Sequence, residues 1–139
     1  MSTLKVMIRT KGRKAILTSD AVNLAGMPPG RYHTHINDDV ILEENGFLHL
    51  ASTPDILAGS ATPLHKGVHN VAAAGIASLG EAITMASLHP AELFGLDGEG
   101  IGTIQPGSPA DMILYEVRPE GGWTIVETVA AGETVYERS

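Results

Sequence analysis

Ala15-Ile16-Leu17-Thr18-Ser19-Asp20-Ala21 opens with three apolar residues unbroken by a polar one. Such a run fits a short strand buried on both faces, the habit of parallel strands in α/β folds. Thr18-Ser19-Asp20 ends the apolar run, and Gly26, Pro28, Pro29 and Gly30 beyond it cannot continue a strand. A carboxylate, Asp20, therefore stands where a buried strand meets a loop. Parallel α/β folds gather their chemistry at that end of their strands. Asp20 has two readings: a turn cap acting through its side chain, or an acid–base group. The spacing alone favours the turn cap.

Working outward, composition sets limits. The chain has 139 residues, the length of about one domain, and falls well short of the roughly 250 residues of a complete (β/α)₈ barrel. A net charge of -7 and scattered basic residues argue against a nucleic-acid partner, because a phosphate-binding surface needs clustered Lys and Arg. Without cysteine there is neither a disulfide framework nor a thiolate metal site. Met1-Ser2-Thr3-Leu4-Lys5 does not begin a secretory leader, and no stretch approaches the roughly 20 apolar residues of a membrane span. These features predict a cytoplasmic protein with no membrane partner.

Leu4 to Thr10 reads as the tail of a helix stopped at Gly12. Between 31 and 51, Tyr32, Thr34 and Ile36 alternate with Arg31, His33 and His35. Val40-Ile41-Leu42 and Phe47-Leu48-His49-Leu50 then flank Glu43-Glu44-Asn45-Gly46. Asn-Gly between extended runs is a strong hairpin signal because both residues accept positive φ. Leu57-Ala58-Gly59-Ser60 is a run rich in small residues that lets the backbone approach a ligand or a neighbour. Thr62 and Pro63 then open a helix to about 76, with Leu64, Val68, Val71 and Ala72 on one face. Ser78-Leu79-Gly80-Glu81 is a capping box that starts a second helix, which Pro90 should stop. Pro90 to Gly95 reads as one or two further turns. From Gly98 the chain turns to strands: Met112 to Tyr115, Trp123 to Val129 and Thr134 to Tyr136 should form one antiparallel sheet, with 31–51 as a candidate addition to it.

Gly100-Ile101-Gly102-Thr103-Ile104-Gln105-Pro106-Gly107-Ser108-Pro109-Ala110-Asp111-Met112-Ile113-Leu114 resembles the carboxyl-terminal signature of the amidohydrolase superfamily, where a Gly-rich turn and Pro-Gly precede Ala-Asp and an apolar strand. Ala86 to Leu96, with Ser87-Leu88-His89-Pro90-Ala91, is similar to that superfamily's helix junction. Lys11 to Ala21, Ala25 to Tyr32, and Leu57 to Ser60 with Val68 and Asn70 resemble the N-acetylglucosamine-6-phosphate deacetylases around their last barrel strand. Two positions depart from that pattern. His65 stands where those enzymes usually carry an Asp, and His69 where an Arg or Lys is frequent.

The resemblance implies a mixed α/β fold: the last β/α unit of a TIM-type amidohydrolase barrel plus strands of the small β-sandwich that flanks it. Residues 1–97 would be the terminal barrel segment with an inserted hairpin near 31–51, and 98–139 the carboxyl-terminal strands. The implied activity is metal-dependent hydrolysis of a C–N bond in an N-acetylated amino-sugar phosphate. Asp20 would be the general base, taking a proton from a metal-bound water and passing it to the leaving amine. Leu57, Ala58, Gly59 and Ser60 would lie against the substrate. The complete enzyme would hold zinc or a similar divalent ion on ligands from earlier strands. This chain by itself would hold none and be inactive, and its unpaired strand would be covered by a second copy or by the rest of the complete enzyme. A non-catalytic interaction module of the same origin, or another amidohydrolase branch acting on a cyclic amide or an N-acyl amino acid, are the alternatives.

The remaining polar groups read more simply. His33-Thr34-His35 forms an H-x-H pair that, with His49 across the hairpin, has the makings of a metal site; a solvated hairpin face is the simpler reading. His65 and His69, one helical turn apart, have metal-ligand spacing but no H-E-x-x-H context. His89 is expected to be structural and Asp111 to accept backbone hydrogen bonds in its turn. Asp38-Asp39 and Glu43-Glu44 are expected to be solvated turn charges.

Overall fold

The computed structural model describes residues 2–34, 38–118 and 122–139. The fold is mixed α/β, and the chain divides into two compact units. One is continuous, Thr18–Gly67; the other joins Met1–Leu17 to Val68–Ser139.

The continuous unit is a four-stranded antiparallel sheet. Its strands are β1 (Gly30–His33), β2 (Asp39–Leu42), β3 (Phe47–Leu50) and β4 (Leu57–Ser60), side by side in chain order. Alternation builds its core: Val40 and Leu42 of β2 and Leu48 of β3 are buried on one face together with Ala61. Val22, Leu24, Tyr32, Leu50 and Ala58 pack against them. Burying each of the larger side chains contributes about 1.5–3 kcal/mol. The hairpin between β2 and β3 forms where Asn45-Gly46 predicts it, but with a different turn. The Gly46 N–H donates to the Glu43 carbonyl and the Glu43 N–H to the Phe47 carbonyl. Gly46 has φ +83°, whereas Asn45 is not among the residues with positive φ. The turn is therefore a three-residue loop closed by a left-handed Gly, not a two-residue Asn-Gly turn. Asn45 contributes by accepting the Phe47 N–H through its side chain at 2.8 Å. Leu57 to Ser60, expected as a run skirting a ligand or a neighbour, is an edge strand.

The other unit carries the helices α1 (Ser2–Lys11), α2 (Leu64–Ala73, whose first turn belongs to the continuous unit), α3 (Leu79–Ala86) and α4 (Leu88–Phe94). Val68, Val71, Ala82 and Met85 form its core, with Leu4, Ile8, Leu17 and Trp123 packed against them. Ser78 and Glu81 make both bonds of the capping box at the start of α3. Those bonds hold the Glu81 carboxyl below its ordinary pKa. The helix breaks at Ser87, three residues ahead of Pro90. The cause is still Pro90: it has no N–H for the Ala86 carbonyl, so the chain restarts and Pro90 falls in the first turn of α4, where no such bond is needed. Gly95, left-handed at φ +71°, ends α4 as expected.

In the same unit, β5 (Met112–Val117), β6 (Trp123–Ala130) and β7 (Glu133–Glu137) form the expected antiparallel sheet, separate from the four-stranded one. The turn between β5 and β6 includes residues 119–121, which lie outside the described residues. No helix among the described residues is long and apolar enough to cross a membrane.

The buried strand expected at 15–18 is not formed. Residues 15–20 belong to no strand, and exposure alternates along them, with Ile16 exposed and Leu17 half-buried. Backbone and side-chain bonds from helices replace sheet pairing. The Leu17 N–H donates to the Met85 carbonyl at 2.9 Å, and the His89 ring Nδ1 bonds the Ala15 carbonyl at 2.7 Å. A strand forms only where neighbouring strands take its backbone hydrogen bonds, and among the described residues no strand flanks this run. His89, nearly buried, thus has the structural part expected of it.

Candidate functional site

The segment around Asp20 is built from local hydrogen bonds. The Thr18 hydroxyl accepts the Asp20 N–H at 3.5 Å, and the Ser19 hydroxyl accepts the Ala21 N–H at 3.3 Å. These two hydroxyls do the turn-capping that the spacing assigned to Asp20. Asp20 itself is exposed and left-handed, with φ +46°. Asp is one of the few non-Gly residues that tolerate this conformation. Among the described residues its carboxylate has no hydrogen-bond partner, which leaves both oxygens available to a reacting group.

Immediately beyond, Ala21 makes a parallel bridge to Ser60, and the Val22 N–H donates to the Ser60 carbonyl at 2.8 Å. So the two groups singled out in the sequence, Asp20 and Leu57-Ala58-Gly59-Ser60, are brought together: β4 pairs with β3 on one side and with the residues after Asp20 on the other. Leu57 is exposed, whereas Ala58, Gly59 and Ser60 are half-buried. The Ser60 hydroxyl accepts the Thr62 N–H at 3.1 Å and is in use.

A second polar cluster lies on β1 and β2. The register sets His33 opposite Asp39 and Arg31 opposite Ile41, so all of these side chains share one face of the sheet. Asp39 accepts from Arg31 Nε at 2.8 Å and pairs with His33 Nδ1 at 2.8 Å. The His33 bond first, then the Arg31 bond, holds the Asp39 carboxyl below its ordinary pKa. Asp38 caps the start of β2 by accepting the Asp39 N–H at 2.8 Å. Arg31, His33, Asp38, Asp39, Ala51 and Ser52 line a cavity of about 440 Å³. Asp39 is thus a strand residue paired across the sheet, not the solvated turn charge expected. The signal was present: Arg31 and His33 are two residues apart and so share a strand face.

His33 is engaged by Asp39, and His35 lies outside the described residues. His49, offered as a third ligand, is buried and satisfied elsewhere: Nε2 meets Glu43 Oε1 at 3.1 Å and Nδ1 meets the Leu50 carbonyl at 3.1 Å. The Glu43 bond, then the Leu50 carbonyl, raises the His49 pKa against the opposing effect of burial. Glu43 is accordingly a partner of His49 as well as a turn residue. On α2, burial first and then the neighbouring Lys66 charge lower the pKa of His65. Asp111 does accept a backbone N–H, but from Ala131 at 2.7 Å, in the turn between β6 and β7 and not in its own. Among the described residues no three His, Cys, Asp or Glu side chains converge to hold one ion, so they do not make up a complete metal site.

The class that the fold defines is mixed α/β, with the Asp20 segment bridged to β4. Its family follows from comparison. The profile of the amidohydrolase family matches residues 59–135, and the chain belongs to that family. It is 38% identical over 103 residues to an N-acetylgalactosamine-6-phosphate deacetylase of Escherichia coli O157:H7, a match covering 74% of this chain and 26% of that relative. It is 29% identical over 137 residues to an N-acetylglucosamine-6-phosphate deacetylase of Danio rerio, covering 99% of this chain and 32% of the relative. The fold matches a crystal structure of N-acetylglucosamine-6-phosphate deacetylase from Pasteurella multocida with a TM-score of 0.78, at 22% identity, over 96% of this chain and 33% of the other. The chain therefore spans about a quarter to a third of the length of these proteins.

Proposed function

We propose that this chain forms the carboxyl-terminal part of a metal-dependent amidohydrolase that removes the acetyl group from an N-acetylated amino-sugar phosphate, N-acetylglucosamine-6-phosphate in the first place. The observation that carries the proposal is the exposed Asp20 carboxylate, without a hydrogen-bond partner among the described residues and held directly before the bridge from Ala21 to Ser60. In this reading, water attacks the amide carbon and the C–N bond breaks, giving acetate and a free amine. Asp20 takes the proton from the water and delivers it to the leaving nitrogen. Leu57, Ala58, Gly59 and Ser60 lie against the sugar. Residues 1–97, with the insertion near 31–51, supply the last β/α unit of a TIM-type barrel, and 98–139 supply strands of the small sandwich. A divalent ion such as zinc is held in the complete enzyme by ligands other than the described residues, and the enzyme works in the cytoplasm as a homo-oligomer.

Acetate release by the complete, zinc-loaded enzyme tests this. N-acetylglucosamine-6-phosphate or its galactosamine counterpart should be turned over, and the 139-residue chain alone should turn over neither. Hydrolysis of only an N-acyl amino acid or a cyclic amide would move the enzyme to another amidohydrolase branch. No hydrolysis of any amide by the complete enzyme would leave the chain as an interaction module, a reading that the exposed apolar residues of β5 and β7 favour.

A further inference from the structure

Gly59 occupies a singular place beside Asp20. Pairing of β3 with β4 shifts by one residue between Phe47 opposite Ser60 and His49 opposite Leu57, so the extra residue of a bulge falls at Ala58-Gly59. Gly59 takes φ +118°, a conformation that side chains rarely adopt. A Cβ at Gly59 would come within 2.7 Å of Val22 Cγ1. Val22 cannot easily yield: it is β-branched, with a restricted χ1, and it packs against the buried core of the sheet. The bulge turns β4 so that its next residue, Ser60, receives the Val22 N–H and the bridge from Ala21. Asp20 is the residue before that bridge, and the Thr18 and Ser19 hydroxyls fix its other side.

We propose that Gly59 is a positioning residue: by carrying no side chain at the bulge of β4, it lets that strand clamp Ala21 and Val22 and so sets the backbone from which the Asp20 carboxylate projects. This rests on the deacetylase reading only for its consequence in catalysis; the clamp itself is a property of this chain. In Gly59→Ala the new methyl group must push Val22 away.

Amide hydrogen exchange and backbone chemical shifts of the 139-residue chain test the clamp without turnover. In Gly59→Ala, exchange at the Val22 amide should rise at least ~10-fold and the Asp20 amide resonance should move, while the pairing of β1 with β2 stays protected. Combining Gly59→Ala with Val22→Ala removes the clash and should restore part of the protection at residue 22. Unchanged exchange at Val22 and an unmoved Asp20 resonance in Gly59→Ala would overturn the proposal. So would collapse of the whole sheet in both variants, since Gly59 would then support the sheet and not the end that carries Asp20. In the complete enzyme, Gly59→Ala should lower kcat at least ~10-fold with KM within about threefold, the signature of a misplaced base. A variant with the clamp lost and kcat intact would contradict the deacetylase role of Asp20 and leave the clamp standing.

Discussion

At the scale of single residues, His49 shows how hydrogen bonds raise the pKa of a buried imidazole. Both ring nitrogens face acceptors, Glu43 Oε1 and the Leu50 carbonyl. Satisfying both requires two N–H donors, the protonated imidazolium. Its pKa is raised above the ordinary 6.5, so its contribution to stability is fully present below about pH 6.5 and is lost as pH rises through the raised value. Thermal unfolding across pH 5.5 to 9 should therefore show stability falling as pH rises above about 6.5, and Glu43→Gln should flatten that fall. Equal pH dependence in the two proteins would rule out the pair as its source. The sequence did not announce this bond. His49 and Glu43 are six residues apart and meet only because the hairpin folds one strand onto the next. Asp20 is the opposite case. Its position at the end of an apolar run was plain, and what could not be read was that Thr18 and Ser19 would take over the turn bonds and leave its carboxylate free.

At the scale of elements, local signals were legible wherever local chemistry decides. The capping box at Ser78 and Glu81, the Gly95 stop and the meander of β5, β6 and β7 all follow from short-range rules. The 15–18 run failed because burial of a strand on both faces is a property of its neighbours, not of its own residues. Ala15 and Leu17 instead pack against the helices, and Ile16 is exposed. Leu57 to Ser60 became a strand because β3 offered an edge, which no window of four small residues discloses. Edges also bear on assembly. In the three-stranded sheet Ile113, Leu114, Val117, Val135 and Tyr136 are exposed, and β7 leaves one edge without a partner strand in its sheet. Unpaired edges and exposed apolar faces favour pairing with another copy. Sedimentation of the isolated chain should show a dimer or larger species at micromolar concentration. A well-folded monomer would remove the support for a homo-oligomer.

At the scale of the whole molecule, family membership was legible in the sequence because the Gly-rich turn, Pro-Gly and Ala-Asp at 100–111 are spaced by tight geometry. Asp111 shows the physical basis, since its carboxylate ties the turn at Ala131 to the start of β5. Substrate choice was not legible to the same degree, because the chain spans only about a quarter to a third of the length of the deacetylases it matches. In the proposed reading the chain contributes the Asp20 carboxylate and the strand that fixes it. Replacing Asp20 by Asn keeps the shape and removes the ability to accept a proton. The decisive measurement is the kcat of the complete zinc-loaded enzyme on N-acetylglucosamine-6-phosphate, wild type against Asp20→Asn. The account predicts a fall of about 10²–10⁴-fold with KM within about threefold, and an Asp20→Asn enzyme that keeps its wild-type kcat would contradict it.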